Sequence, residues 1–406
     1  MGPQGRANPL YDLVVVGAGP AGSMTARAAA EEGLDVLLLD RELEIGVPDK
    51  CGEFLPSLEE MRRLAPDAER LEAIFDPPSG CIVNRTRYVR FVFPNGKEII
   101  VPFNGVVVER KLYDKHLANE AARAGAEIAP MTRALDLLKD GRGVRARDIE
   151  GGRDIPARTV AGADGANSLI ARRAGLPVSD DPLDYAVGYQ YEMVDVEHDP
   201  EYVDMYFGRD IAPGTYAWII PKGDDIANVG TGARAPYMER GRSIRDYLKN
   251  LIEKHPAASE KLRKAATTAI KAGCIPVGGP MVRTCVGDIL VVGDAAGHTI
   301  PTVGGGVPPA LICGEIAGRA IAEHVKEGKP LALYEGAWRG QLGATLGNAL
   351  RLRRMSDVIF KSERTIDFIT KRGWLTEEML EKLILCRVDA RMRIVERTLL
   401  QLMKKL

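Results

Sequence analysis

Several things are scarce in this chain. Aromatic residues make up only 6 % of its 406 residues, and three of them are Trp. Charge of one sign is missing too, since the formal net charge is −1. That balance removes the electrostatic reason to expect nucleic acid, whose phosphates reward a strongly basic surface. No apolar run approaches the roughly 20 residues that a membrane-spanning helix requires. The stretch MGPQGRANPL holds one early arginine and no long apolar segment, so no secretory signal is expected. Cysteines stand at 51, 81, 274, 285, 313 and 386 without any C-x-x-C spacing. This pattern predicts neither a metal site nor a disulfide framework, but reduced thiols that are mostly core. The rest of the composition, 45 % hydrophobic and 27 % charged, is that of a globular protein too long for one ordinary core.

What is present is patterned glycine. Residues 11–22 read YDLVVVGAGPAG. The apolar run Leu13 to Val16 predicts a short buried strand, which enters Gly17-Ala-Gly19-Pro-Ala-Gly22. A helical stretch follows (SMTARAAAEEGL), then a second strand, DVLLLD, that ends at Asp40. Gly17 permits the tight turn, Gly19 lets backbone approach a pyrophosphate, and Gly22 lets helix and strand pack closely. The helix N-terminus offers unpaired N–H groups to the phosphates, and Asp40 stands where a carboxylate binds a ribose hydroxyl. This motif predicts dinucleotide binding without separating FAD from NAD.

Three further segments favour flavin. Residues 286–307 read VGDILVVGDAAGHTIPTVGGGV, with a strand over Ile289 to Val292 closed by Gly293-Asp294 and a small-residue helix after it. This resembles the second flavin-binding signature of the FAD-dependent hydroxylase and reductase superfamily. The resemblance implies that Asp294 holds the ribityl chain or ribose and that Gly304, Gly305 and Gly306 bring backbone N–H groups to the cofactor. The segment AGADGANSLIARRAG (161–175) resembles the superfamily's G-A-D-G-x-x-S-x-x-R stretch, with Asp164, Gly165, Ser168 and Arg172 in register. VVVERKLYDKHLANEA (106–121) resembles its helix entry, where Arg110 either touches the flavin from the side or caps a surface helix. FAD is therefore the expected cofactor. Gly230-Thr-Gly232-Ala-Arg-Ala235 also approximates the dinucleotide pattern, but Pro236 and a charged stretch follow it instead of a helix. It reads as a strand ending in a turn, so no separate NAD(P)H domain is expected.

The expected fold is α/β plus α+β: a discontinuous Rossmann-like FAD-binding domain, an antiparallel-sheet substrate domain and a helical C-terminal segment. The parts are 8–80, 105–178 and 284–332 for the FAD domain, 81–104 and 179–283 for the sheet domain, and 333–406 for the helices. The sheet assignment rests on alternation around the hairpin signal Pro94-Asn95-Gly96 and along residues 185–232. The tail from Arg351 to Leu406 carries 14 Lys and Arg against 8 Asp and Glu, a net of +6. Its last stretch, DARMRIVERTLLQLMKKL, has two readings. One is a basic amphipathic helix resting on anionic lipid, and the other a helix packed on the body with a solvated charged face.

Residues 213–221 read PGTYAWIIP. On an extended strand Tyr216, Trp218 and Ile220 share one face, and Ala217 and Ile219 the other. Two aromatic rings so placed make either a slot for a long apolar ligand or ordinary sheet core. The stretch resembles the P-x-x-Y-x-W-x-F-P motif of the geranylgeranyl reductase family, flavoenzymes that saturate isoprenoid chains. Asp49-Lys50-Cys51-Gly52-Glu53 resembles that family's R-C-G-E segment. The likeness runs from residue 11 to about 380 and is best with archaeal members that reduce the geranylgeranyl chains of ether lipids. Lys50 stands where the family often has Arg, and Ile220 where it has Phe. The latter departure leans towards the W-x-W-x-I-P of flavin-dependent halogenases, so a halogenase or monooxygenase acting on an apolar or aromatic substrate is the alternative.

The resemblance implies catalytic roles for Cys51, Tyr216 and Trp218, and substrate contacts at Tyr216, Trp218 and Ile220. It implies FAD contacts at Gly17, Ala18, Gly19, Ala21, Gly22, Asp40, Cys51, Gly52, Arg110, Ala134, Asp294, Gly305, Gly306 and Val307. Hydride from reduced FAD and a proton would add across each double bond. The proton donor is open. Cys51 is an acid, a redox partner of the flavin or a small apolar filler; Tyr216 is a second candidate; His298 is near the cofactor or structural. The expected reductant is NAD(P)H or a small redox protein such as ferredoxin. The expected location is the cytoplasm, with a peripheral contact at the inner face of the cell membrane if the tail meets lipid.

Overall fold

The apolar run after Leu10 becomes a strand, Tyr11–Val16 (β1), in which every residue but Asp12 is buried. The chain then turns into the helix Pro20–Glu31 (α1) and returns as Val36–Leu39 (β2). Pro20 suits the first turn, where its missing N–H would have no intrahelical partner. β1 and β2 pair in parallel, from Leu13 against Val36 to Val16 against Leu39. The small residues of α1 let a second helix, Val307–Glu327, lie against it. A Cβ on Gly314 would stand 2.7 Å from the Ala21 carbonyl oxygen, and one on Gly318 2.6 Å from the Ala28 Cβ.

The computed structural model describes residues 10–139, 141–359, 362–389 and 392 and shows two eight-stranded sheets. The first orders its main path Cys285–Val286, Ile289–Val291, Gly151–Gly162, β1, β2 and Glu127–Ala129. All its central pairings are parallel. Arg133–Leu137 and Gly143–Asp148 extend Gly151–Gly162 as an antiparallel ribbon. The strand over Ile289 and the small-residue helix thus return the chain to the sheet that β1 began, which makes the nucleotide fold discontinuous.

The second sheet runs Ala266–Pro276, Tyr185–Val194, Ile226–Ala233, Ala217–Gly223, Tyr202–Tyr206, Ile82–Val92, Glu98–Val108 and Phe54–Pro56. It is antiparallel throughout except where Tyr202–Tyr206 lies parallel to Ile82–Val92. The antiparallel expectation needs correcting at that junction. The hairpin over residues 82–108 and the meander over 202–233 come from distant stretches, and no tight turn between them dictates opposite directions. Side chains alternate as the period of two requires. Tyr189, Tyr206, Ala217, Ile219 and Val229 form one core with Leu248 and Leu251 of the helix Ile244–Lys254. Tyr216, Trp218 and Ile220 face the other way and join the large core that includes α1.

Gly230 and Gly232 sit on the strand Ile226–Ala233, which is followed by only a single 3-10 turn, Ala235–Tyr237, before the chain reaches Ile244–Lys254. A Cβ on Gly230 would stand 2.5 Å from Trp218 Cε2, and one on Gly232 2.5 Å from Thr215 Oγ1. These glycines make room for neighbouring side chains rather than for a phosphate. Beyond residue 333 the described chain is helical, as Leu333–Trp338, Ala344–Ile359, Glu363–Lys371 and Glu377–Ile384. The amphipathic stretch at 389–406 lies outside the described residues, apart from Asp389 and Met392. Among the described residues no helix is long and apolar enough to cross a membrane.

Candidate active site

A cavity of about 810 Å³ opens between the two sheets. Backbone makes one side of it. Gly17 adopts φ +102°, and a Cβ there would meet the Ala163 carbonyl oxygen at 2.5 Å. A Cβ on Gly22 would lie 1.8 Å from the Gly17 carbonyl oxygen, which no side chain tolerates. Gly19 differs: nothing stands within 4 Å of where its Cβ would be. The open face at Gly19 and the unpaired amides at the start of α1 are a ready cradle for a pyrophosphate. Gly17, Gly19, Ala21, Asp40, Arg110, Ala134, Asp294, Gly306 and Val307 all line this cavity. The residues present therefore fit FAD, and the volume lies in the range of a buried cofactor site.

Three sequence-predicted cofactor residues do not reach the wall. Ala18 donates its N–H to Asp40 Oδ2 at 2.7 Å, so it positions that carboxylate instead. Gly22 backs Gly17, and Gly305 accepts the Ile300 N–H at 3.0 Å in a turn. Asp294 is on the wall, and Thr299 Oγ1 donates to its Oδ1 at 2.8 Å. Burial pushes its carboxyl up, against the pull of that hydrogen bond and of the Arg110 charge. Arg110 forms a two-point pair with Asp114, both contacts at 2.8 Å, and so presents a fixed edge to the cavity. Asp164 is spent on local structure: Ser168 Oγ donates to it at 2.6 Å and the Leu169 N–H at 2.6 Å. His298 is fully buried against Trp338, with ring centroids 4.5 Å apart, and lies off the cavity wall. Burial drops its pKa to about 3, so it is a neutral core residue.

The opposite side is built from side chains. The loop through Asp49, Cys51 and Gly52 meets the strand face carrying Gly188, Gln190, Trp218 and Lys271. Gln190 donates from Nε2 to the Cys51 carbonyl oxygen at 2.8 Å and accepts from Trp218 Nε1 at 3.0 Å. The indole thereby fixes the amide, and the amide fixes the cysteine loop. The expected wall of Tyr216, Trp218 and Ile220 needs correcting, since only Trp218 lines the cavity. The Tyr216 ring packs edge-on to Trp218 at 6.0 Å, and its hydroxyl donates to the Val303 carbonyl oxygen at 2.6 Å. Ile220 stands behind Gly52, with its Cδ1 3.0 Å from where a Cβ would be. Burial pushes the Cys51 thiol up, and its Sγ accepts the Glu53 N–H at 3.2 Å.

Partly on this wall, at Asp49 and Lys271, and partly behind it lies a charge cluster that the sequence motifs did not reveal. Lys222 Nζ stands 2.7 Å from Glu53, 2.9 Å from Glu109 and 2.8 Å from Glu192. Lys271 Nζ stands 2.6 Å from Asp49, 3.2 Å from Glu53 and 3.3 Å from Glu192. Glu53 is fully buried in a left-handed backbone conformation, φ +71°, which costs on the order of 1 kcal/mol for a residue with a Cβ. Burial alone would raise its carboxyl, but the ammonium groups of Lys222 and Lys271 overcome this and hold it at about 2. A signal was available. Lys222 continues the alternation of Tyr216, Trp218 and Ile220, and Glu192 that of Gly188 and Gln190, so each charge falls on an inward register position.

A Rossmann-like glycine cradle facing a second sheet across one cavity is the architecture of an FAD-dependent oxidoreductase. A family model described as the geranylgeranyl reductase catalytic domain matches residues 184–274, and one described as an NAD(P)-binding Rossmann-like domain matches residues 15–47. The digeranylgeranylglycerophospholipid reductase 2 of Methanopyrus kandleri is 39 % identical over 353 residues, covering 85 % of this chain and 86 % of its own. The digeranylgeranylglycerophospholipid reductase of Methanocaldococcus jannaschii is 37 % identical over 366 residues, 88 % and 89 % of the two chains. A geranylgeranyl bacteriochlorophyll reductase-like protein from Thermoplasma acidophilum has a similar structure, with a TM-score of 0.78 at 29 % identity and 95 % of each chain covered. The flavin-dependent brominase Bmp2 shares the fold alone, at 18 % identity and a TM-score of 0.73 over 98 % of this chain and 100 % of its own. The chain belongs to the geranylgeranyl reductase family.

Proposed function

We propose that this protein saturates double bonds in the geranylgeranyl chains of ether-linked glycerophospholipids. The observation that carries the reading is the facing of Trp218 and the Cys51–Gly52 loop against the glycine cradle across one cavity. Family membership over most of the chain supports it. Bound FAD, once reduced, supplies a hydride to one carbon of the alkene.

The chain's own residues do the rest. When FAD is bound, Gly19 and the N-terminus of α1 would hold its pyrophosphate, Asp40 the adenosine ribose and Asp294 the ribityl end. Arg110, fixed by Asp114, sets the position of the ring. Trp218 presses the alkene towards it, and the Trp218–Gln190–Cys51 hydrogen bonds keep that surface rigid. Trisubstituted alkenes are poor hydride acceptors, so close placement and exclusion of water are the main catalytic resources. Each buried CH₂ contributes about 0.8 kcal/mol, so a chain of roughly twenty carbons offers on the order of ten kcal/mol before ordering costs. That is sufficient to draw a lipid tail into the cavity while its headgroup stays at a membrane surface. Electrons reach the cofactor from NAD(P)H directly or from a small redox protein.

The test is anaerobic incubation of the reduced holoenzyme with a geranylgeranyl glycerolipid, read by mass spectrometry as two hydrogens gained per bond. Trp218→Ala should cut turnover at least tenfold with FAD still bound. Unchanged lipid with the wild-type protein ends the reading.

A further inference from the structure

Asp49 and Lys271 both line the cavity, yet neither holds the cofactor in the assignment above. Their Oδ2 and Nζ lie 2.6 Å apart. Glu53 stands behind them, 3.2 Å from the same Nζ. With Glu192 at 3.3 Å, three carboxyl groups share one ammonium in a buried corner, and Asp49 and Glu53 do so unequally. Glu53 also collects Lys222 at 2.7 Å, Asn228 Nδ2 at 2.7 Å and the Arg110 N–H at 3.0 Å. Asp49 has in addition one backbone donor, the Cys51 N–H at 3.0 Å on Oδ1, and the neighbouring Glu53 carboxyl itself. Where two carboxyl groups meet so closely they do not both ionise freely, and the one with fewer donors takes the proton.

We propose that Asp49 is the acid that protonates the alkene, and that Lys271 receives its carboxylate afterwards. The inference rests on the reductase reading above. One carbon of the alkene gains a hydride, with its electron pair, from the reduced cofactor, which is thereby oxidised. The π bond breaks towards the neighbouring carbon, which takes the proton as the Asp49 O–H bond breaks. Asp49 is left as a carboxylate beside Lys271, and water at the cavity mouth returns its proton.

The surroundings of Asp49 suit this task. Cys51 and Glu53 face it from its own loop, Lys271 from Ala266–Pro276, and Arg110, paired with Asp114, from the helix Arg110–Arg123. Glu192 and Lys222 stand one contact further out. Burial and the Glu53 charge outweigh Lys271 and push Asp49 up to about 6, close to where an acid works best in neutral conditions. Cys51, the acid suggested by the sequence, is less fit, because burial raises its thiol further from neutrality.

The experiment uses the FAD-loaded enzyme with three readouts: infrared titration of the protonated-carboxyl stretch, flavin absorbance, and anaerobic turnover of a geranylgeranyl glycerolipid in detergent micelles. The wild type should show a carboxyl band that titrates near pH 6 and is absent in Asp49→Asn. That variant should keep its flavin and lose turnover by about 10²-fold or more, with Asp49→Glu restoring part of it. Lys271→Met removes the cation that favours the carboxylate, so the alkaline limb of the turnover profile should move to higher pH. A band that persists in Asp49→Asn, or turnover unchanged by it, overturns the inference and leaves the reductase reading standing. A wild type inert towards the lipid overturns the reductase reading and this step with it.

Discussion

One wall of the cavity is backbone and the other is side chain. On the cradle side, Gly17 and Gly19 present peptide groups with Gly22 packed behind Gly17, and the fit depends on atoms that are missing. On the sheet side, Trp218, Gln190, Asp49 and Lys271 present rings, amides and charges, backed by Glu53 and Lys222. The glycine backbone of the first wall does not titrate, and neither Gly17 nor Gly22 behind it tolerates added bulk. The second gains chemistry from groups that burial makes costly, and each of those groups depends on its partners. Rigid backbone suits a cofactor that stays, whereas tunable side chains suit a bond that must be made and broken.

Four changes break or sharpen that contrast, from the largest effect down. Gly22→Val should abolish flavin binding and cost about 3 kcal/mol or more of stability, because its Cβ would overlap the Gly17 carbonyl oxygen at 1.8 Å. Flavin absorbance of the purified protein and its urea midpoint report both. Lys222→Met should cost about 3–5 kcal/mol, since Glu53, Glu109 and Glu192 would lose a shared ammonium that is 5 % exposed. Adding Glu53→Gln should return part of that loss in a double-mutant cycle; strict additivity would show the cluster to be uncoupled.

The third change reads a sign. In the folded chain the Asp49 carboxyl holds its proton more tightly than in the unfolded chain, where its pKa is about 3.9. The stability it contributes is therefore complete at low pH and is lost as pH rises towards about 6. The loss amounts to about 3 kcal/mol at most. Asp49→Asn lacks this titration, so its unfolding midpoint should rise relative to the wild type between pH 4 and pH 7. A difference that stays flat over that window would place the proton elsewhere. Gly19→Ala should act least on the fold, because φ is −71° and space is open, leaving stability unchanged within about 0.5 kcal/mol or slightly raised. Its methyl group would instead stand in the pyrophosphate's path, so FAD titration should show weaker binding where thermal unfolding shows nothing.

Much of this molecule was legible before any coordinates. The β1–α1–β2 unit, the return of the chain at Ile289 and the alternation of Tyr216, Trp218 and Ile220 all follow from residues near one another in the chain. What alternation did not reveal is depth. Tyr216 and Ile220 share the register of Trp218, yet the loop at Gly52 and the carbonyl of Val303 cover them and leave only the indole on the cavity wall. Gly230 was read correctly as part of a strand although its pattern mimics a phosphate loop; the structure adds the cause, the Trp218 ring lying across it. His298, beside a cofactor motif, is fully buried against Trp338 and off the cavity wall.

The chain by itself determined the cradle and the cofactor class, because turn, helix start and strand end are local and a glycine's missing side chain acts at its own position. Tertiary structure alone decided the other wall. Asp49 and Glu53, Glu109, Glu192, Lys222 and Lys271 come from five separate segments and meet only when the strands of the second sheet assemble. Where the proton rests among them depends on burial and on distances of a few ångströms between groups far apart in the chain, and neither exists before the fold does.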